Sequence, residues 1–184
     1  MFYGIDSYYI MFVLPAILIS MWAQFKVNSA FNTYSRMPMS RQITGADAAR
    51  LILDQNGLND VGIERIAGKL TDHYDPSARV IRLSGDVYST ATIAAVGVAA
   101  HECGHAVQHA TGYLPLKLRA AIIPVTQLGS KLSVPLILVG LVLSSDPLIN
   151  VGILLFGLVT VFQLITLPVE FNASARALAT LSGN

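Results

Sequence analysis

The pattern of apolar positions begins with residues 7–25, a stretch that carries no charge and is long enough to span a bilayer. Tyr8, Tyr9 and Trp22 lie near its ends, as expected of aromatic residues at a membrane interface. A secretory signal peptide would have a basic segment ahead of its apolar part, and nothing ahead of this stretch is basic. The pattern therefore predicts a retained N-terminal transmembrane anchor.

A second apolar block covers residues 132–169, where Asp146 is the only charged residue. Asp146 lies in the turn-forming sequence Ser-Ser-Asp-Pro, so the block predicts a helical hairpin. The second arm of the hairpin is long enough for a membrane span. The first arm is short unless it begins near Ile122, and Lys131 must then reach the interface or face a polar cavity. We expect a transmembrane hairpin over residues 122–169.

The stretch between the anchor and the hairpin, residues 26–121, carries the mixed patterns of a small α+β region. A capping box at residues 44–47 predicts the start of a helix, and Gly57 predicts its end. Residues 61–66 and 79–84 alternate apolar with polar positions and predict two short strands. The second strand is either an edge strand that pairs with an extended peptide or a plain scaffold strand. The candidate substrate-binding residues are Arg79, Val80, Ile81, Arg82, Leu83 and Ser84.

Residues 101–105, His-Glu-Cys-Gly-His, combine two imidazoles and a carboxylate. On a helix, His101 and His105 lie one turn apart on one face and can bind a single metal ion. Zinc bound by imidazole lowers the pKa of a bound water, and Glu102, too far round the helix to be a ligand, can accept a proton from that water. The five residues occur by chance in about 1 in 200 chains of this length. The sequence predicts a zinc-dependent peptidase site with one zinc ion per chain and Glu102 as the catalytic base.

The residues around the motif refine this prediction. Apolar residues 92–100 precede it and predict a buried helix that continues into the motif. Cys103 falls on the side away from both imidazoles, so we expect a packed thiol rather than a ligand. His109 lies one further turn along, but Thr111 stands where the long zincin motif has its third histidine, which excludes that class. We expect His109 to be a surface residue or to support the ligands.

A third zinc ligand must come from elsewhere, and the remaining acidic residues and His73 are the candidates. Glu170 is favoured because it ends the long apolar span, where a charge is costly unless it is paired or bound to metal. The small residues Ala173, Ser174 and Ala177 share its face and would allow close approach to the motif helix. The candidates for supporting positions around the ligands are Asn172, Ser174 and His109.

The composition indicates a membrane protein. Apolar residues make up 53% of the chain, the mean hydropathy is +0.57, and charged residues make up 12%, against about 25% in soluble domains. Every lysine and arginine except Lys131 falls on one side of the predicted spans, which places that side in the cytoplasm. A net charge of +1 without a basic run gives no support for nucleic-acid binding. The single cysteine excludes an internal disulfide.

Five segments of the chain form a recognisable set: Thr44-Gly-Ala-Asp-Ala-Ala-Arg50, Asp72-His-Tyr-Asp-Pro76, Ile81-Arg-Leu-Ser84, His101-Glu-Cys-Gly-His-Ala-Val-Gln108 and Leu167-Pro-Val-Glu-Phe-Asn-Ala-Ser174. Over essentially its whole length the chain resembles the YugP-type membrane zinc metallopeptidases of bacteria. At longer range it is similar to the HtpX and CAAX prenyl protease group, which implies a glutamate as third ligand, carried here onto Glu170. That group commonly has an aspartate four residues later, where this chain has Ser174. The resemblance also implies a further apolar segment beyond Asn184.

We therefore expect a mainly α-helical integral membrane protein with a zincin-like, gluzincin-type α+β catalytic region and a final helix over residues 170–184 that carries the third ligand. The expected function is endopeptidase cleavage of membrane-associated protein or peptide substrates. The expected location is the bacterial plasma membrane, with several spans and a cytoplasmic catalytic face. The alternative is a non-catalytic membrane scaffold or chaperone-like protein with a structural metal site. Glu102 argues against the alternative, because a structural site needs no base.

Overall fold

The structure, a computed structural model, describes residues 7–182 and their side chains except those of residues 7–10, 12 and 13. The side chains of the predicted interfacial residues Tyr8 and Tyr9 lie outside this description, as do residues 183–184 of the predicted final helix. The described chain is mostly helical. Its elements are α1 (Ser7–Tyr34), α2 (Gly45–Gln55), β1 (Gly62–Ile66), β2 (His73–Asp75), β3 (Val80–Ser84), α3 (Gly85–Tyr88), α4 (Ile93–Ala110), α5 (Leu114–Val142) and α6 (Asp146–Ser182).

Helix α1 extends beyond the predicted anchor and contains 28 residues. Large apolar side chains on it are exposed, among them Trp22 and Phe25. Phe31, near the C-terminal end of α1, packs against the buried core of the protein. The helix is therefore held to the core at one end, and its predicted membrane segment presents an apolar surface.

The predicted capping box forms at the start of α2. The Thr44 hydroxyl accepts a hydrogen bond from the backbone N–H of Asp47 (3.2 Å), and the Asp47 carboxylate accepts one from the backbone N–H of Thr44 (3.0 Å). Two hydrogen bonds from Thr44 lower the pKa of Asp47, and the one from its hydroxyl contributes more than the one from its backbone N–H. The helix ends at Gln55, and Gly57 follows with a φ of 70°, as the sequence predicts.

The three strands form one sheet with β3 in the middle. Strand β1 pairs with β3 in parallel, and β2 pairs with β3 antiparallel. Both predicted strands are present. Strand β2 was not predicted, because its three residues, His-Tyr-Asp, show no apolar alternation and are extended through their pairing with β3.

Of the two alternatives for residues 79–84, an edge strand or a plain scaffold strand, the structure supports the scaffold strand. Strand β3 is paired on both sides, and the side chains of Ile81, Leu83 and Ser84 are buried. Its backbone donors and acceptors are already used by its neighbours in the sheet, so it serves as scaffold. The sheet edge that packs beside α4 is β2.

Helix α4 lies at the centre of the core. The Thr92 hydroxyl caps it by accepting a hydrogen bond from the backbone N–H of Ala95 (3.3 Å). Ala95, Ala99 and Ala100 are buried in the core with residues of α2, β3 and α3. The predicted buried helix over residues 92–100 is therefore confirmed, and it continues into the histidine motif.

Helices α5 and α6 pack against each other as a hairpin. Helix α5 begins at Leu114, so predicted starts near Ile122 or at the apolar block are both too late. The apolar pattern did not predict this beginning, because Lys117 and Arg119 interrupt the apolar sequence in the first turns of the helix. Lys131 lies inside the helix, and its side chain is exposed. Among the described residues, α5 and α6 are the two helices long and apolar enough to cross a membrane.

Helix α6 also differs from its prediction. It runs without a break from Asp146 through Glu170 to Ser182, so residue 170 does not begin a separate helix. Pro168 lies inside it. The candidate third ligand is consequently carried by the same helix that forms the second arm of the hairpin.

Candidate metal centre

The candidate metal ligands meet where α4 crosses α6. Gly104 lies at this crossing, and a Cβ atom on it would be 2.5 Å from the carbonyl oxygen of Ala173. The two helices are therefore in backbone contact, as the small residues of α6 predict. This close approach brings Glu170 of α6 to the side of α4 that carries His101 and His105.

Three ligand atoms converge there. Glu170 Oε2 lies 3.2 Å from His101 Nε2 and 3.5 Å from His105 Nε2, and the ligand atoms of all three residues lie within 4.8 Å of one another. Nitrogen and oxygen atoms on a tetrahedral zinc ion, at bond lengths of about 2.0–2.2 Å, are separated by about 3.3–3.5 Å. The separations from Glu170 match this edge length, and two imidazoles with one carboxylate are ligands that zinc accepts. The residues present therefore fit zinc.

Glu102 lies beside this cluster and is buried, with 8% of its surface exposed. Burial raises the pKa of Glu102, and the neighbouring His105 and His101 partly oppose this shift. The backbone N–H of Tyr74 in β2 lies near the Glu102 carboxylate and also opposes the rise in its pKa. Strand β2 therefore lies beside this carboxylate, which is not itself part of the cluster of candidate ligands.

Both imidazoles are held through their Nδ1 atoms. His101 Nδ1 lies 3.1 Å from the hydroxyl of Ser174, and His105 Nδ1 lies 3.0 Å from Gln108 Oε1. Burial by itself would lower the pKa of His105, but contacts with Glu170 and Gln108 outweigh it and raise that pKa. In each imidazole these contacts leave Nε2 directed at the cluster.

Asn172 hydrogen-bonds to neighbours of the candidate ligands rather than to the ligands themselves. Its Oδ1 atom accepts hydrogen bonds from Gln108 Nε2 (3.0 Å) and from Arg176 Nε (2.8 Å).

Glu170 has a second contact of its own, since its Oε1 atom accepts a hydrogen bond from Arg119 Nη1 (2.8 Å). The hairpin helix α5 therefore contributes a cation to the centre.

A cavity of about 610 Å³ opens over the cluster. Residues of β2 and the loop around it, including His73 and Tyr74, line one side, and the first turns of α5, including Leu116 and Ile123, line the other. His109 also lines this cavity, where its Nδ1 lies 2.9 Å from the Tyr74 hydroxyl. The cavity thus joins the ligand cluster to the sheet edge and to the hairpin.

The structure separates the remaining candidates from the cluster. His73 Nδ1 lies 2.8 Å from the backbone carbonyl of Thr71, and His73 is not one of the three convergent residues. Cys103 is fully buried, its Sγ lies 3.6 Å from the carbonyl oxygen of Ala49, and burial raises the pKa of its thiol. It is the packed thiol that the sequence predicts.

Three residues around the centre were missed by the sequence prediction, namely Gln108, Arg119 and Tyr74. Gln108 is fully buried, although glutamine is mostly exposed in proteins. Its place one turn after His105 was a usable signal, because histidine ligands are commonly hydrogen-bonded by a neighbouring group. Arg119 and Tyr74 gave no comparable signal, because their contacts depend on how α5 and β2 pack against α4.

The sequence of the chain is similar to those of known proteins. Residues 9–184 match the model of a family described as "Putative neutral zinc metallopeptidase". The chain is 52% identical over 169 residues to "Putative membrane protease YugP" of Bacillus subtilis (strain 168), an alignment that covers 92% of this chain and 75% of that protein. No solved structure matches the chain. The predicted resemblance is confirmed, and the chain belongs to the Putative neutral zinc metallopeptidase family.

Proposed function

We propose that this chain is a membrane-embedded zinc endopeptidase with a gluzincin-type site, in which His101, His105 and Glu170 bind one zinc ion and Glu102 is the catalytic base. The observation that carries the proposal is the convergence of three ligand atoms within 4.8 Å of one another, next to a buried carboxylate that is not among them. A structural zinc site would fill four positions with side chains. Among the described residues, three converge here, beneath an open cavity.

The proposed chemistry divides between the ion and the chain. Zinc, when bound, supplies a Lewis acid that lowers the pKa of water and polarises the scissile carbonyl. Glu102 accepts the proton of the attacking water and delivers it to the leaving amine. Its raised pKa favours this exchange, because a base whose pKa lies nearer the working pH both accepts and returns a proton.

Strand β2 is the proposed binding edge for the substrate. It lies at the end of the sheet, and its His73 and Tyr74 line the cavity. Its outer side has no neighbouring strand among the residues that the structure describes. An extended peptide can pair with such an edge through its backbone. The facing wall of the cavity, with Leu116 and Ile123 of α5, would receive apolar side chains.

The proposed setting is a bacterial plasma membrane, with the catalytic face in the cytoplasm. Helices α5 and α6 are long and apolar enough to span, and most of their surface is exposed rather than buried in the protein. Helix α1 adds a third exposed apolar surface. The proposed substrates are accordingly membrane-associated proteins or peptides. These reach the site beside the hairpin, because α5 forms one wall of the cavity.

The proposal is tested with Glu102→Gln. We expect this variant to keep its zinc and its fold while cleavage of a detergent-solubilised model membrane protein falls by about 10²–10⁴-fold, because the amide cannot accept a proton. The matched control is Glu64→Gln, which alters an exposed glutamate of β1 paired with Arg82. Zinc content by elemental analysis and cleavage by electrophoresis are measured together. Equal cleavage by Glu102→Gln and wild-type protein would overturn the enzymatic proposal.

A further inference from the structure

The side chain of Gln108 can be oriented in only one way by its neighbours. It is fully buried, and its Nε2 atom donates to the backbone carbonyl of Val169 (2.8 Å). A carbonyl oxygen only accepts hydrogen bonds, so the NH₂ group of Gln108 must face it. The carbonyl oxygen of the Gln108 side chain must then face His105, 3.0 Å from Nδ1.

A second contact imposes the same orientation independently. Arg176 has donors only, so the Asn172 atom that faces it must be Oδ1 (2.8 Å from Arg176 Nε). The same Oδ1 lies 3.0 Å from Gln108 Nε2, which therefore must again be the donor. Val169 and Asn172, both on α6, therefore orient the Gln108 side chain so that its Oε1 atom, which can only accept, faces His105.

We propose that Gln108 is a positioning residue that fixes the tautomer of His105. Because Gln108 Oε1 can only accept, the neutral imidazole must carry its proton on Nδ1 to form this hydrogen bond, and the lone pair of Nε2 is then available to the metal position. The inference rests on the zinc centre of the proposed function and assigns a residue that supports it.

The same side chain also joins the two ligand-bearing helices. Gln108 donates a hydrogen bond to the backbone carbonyl of Val169 on α6, directly before Glu170, and accepts one from His105 on its own helix α4. One buried amide therefore orients the imidazole of His105 and is hydrogen-bonded to the turn of α6 that carries Glu170. Loss of such a contact typically costs 10–100-fold in metal affinity.

The test uses full-length protein labelled with ¹⁵N-histidine, and the 4 histidines of the chain make assignment by single substitutions practical. In alkaline buffer without metal, nuclear magnetic resonance should show the His105 proton on Nδ1 in wild-type protein. In Gln108→Leu, we expect this tautomer to lose its dominance and zinc affinity, measured by chelator competition, to fall by about 10–100-fold.

The control is Leu53→Ala, which opens the core at a fully buried residue of α2 outside these contacts and should change neither readout. A wild-type His105 protonated mainly on Nε2 would overturn the role of Gln108. So would a normal zinc affinity in Gln108→Leu, or an equal loss of affinity in Leu53→Ala. Wild-type protein that binds no zinc would instead overturn the proposed function itself.

Discussion

At the residue scale, Glu170 uses its two carboxylate oxygens for different partners. Oε2 faces both imidazoles, and Oε1 accepts a hydrogen bond from Arg119 at 2.8 Å. The guanidinium therefore limits rotation of the carboxylate and keeps one oxygen available to the metal position. Since Arg119 belongs to α5, the orientation of this ligand depends on the hairpin as well as on α6.

This contact predicts the effect of Arg119→Met. Without the guanidinium, Glu170 loses its second partner, and we expect zinc affinity to fall by about 10–100-fold while the helices stay folded. Lys117→Met is the matched control, because Lys117 is an exposed cation on the same wall of the cavity. Chelator competition measures both variants. Equal affinities in Arg119→Met and Lys117→Met would show that Arg119 does not orient the ligand.

At the element scale, the crossing of α4 and α6 decides whether the ligands meet. Gly104 lies between the two histidines, and its missing side chain is what lets the α6 backbone approach. The sequence made this crossing predictable in part, since small residues follow Glu170 on one face. It did not reveal β2, because a three-residue polar strand is formed by its pairing with β3 rather than by its own propensity.

Two glycines of α4 provide a matched pair of substitutions. In Gly104→Ala the new methyl would lie 2.5 Å from the Ala173 carbonyl oxygen, so α6 must shift. We expect a loss of about 1–3 kcal/mol in the free energy of unfolding, together with weaker zinc binding. Gly97→Ala places its methyl in open space and should stabilise the helix by about 0.5–1 kcal/mol. Thermal unfolding in detergent measures both. A Gly104→Ala protein as stable as Gly97→Ala would contradict the close crossing.

At the scale of the whole molecule, the centre lies between a small α+β core and an apolar hairpin. The placement of His101, Glu102 and His105 together at one candidate centre was predictable because their spacing is local, and that of Glu170 because a carboxylate at the end of an apolar span is costly unless it has a partner. The contacts of Gln108 with α6 could not be derived in this way. Its partners on α6 are brought to it only by the packing of the helices.

The proposed topology predicts a labelling pattern in intact cells. A cysteine in place of Ser144, in the exposed hairpin turn, should react with a membrane-impermeant thiol reagent, whereas one in place of the exposed Ser77 should not. The native Cys103 should give little background, because it is fully buried and its thiol pKa is raised. Labelling at Ser77 with protection at Ser144 would place the catalytic face outside the cell.

The most direct test of the central claim is the zinc content of purified, detergent-solubilised protein and its single variants, measured by elemental analysis. Wild-type protein should hold about one zinc per chain, because three side chains and one open position make a single tetrahedral site. His101→Ala, His105→Ala and Glu170→Ala should each lose most of it. His73→Ala should retain it, because His73 lies outside the cluster although it lines the same cavity. Full zinc content in Glu170→Ala, or its loss in His73→Ala, would contradict the ligand set.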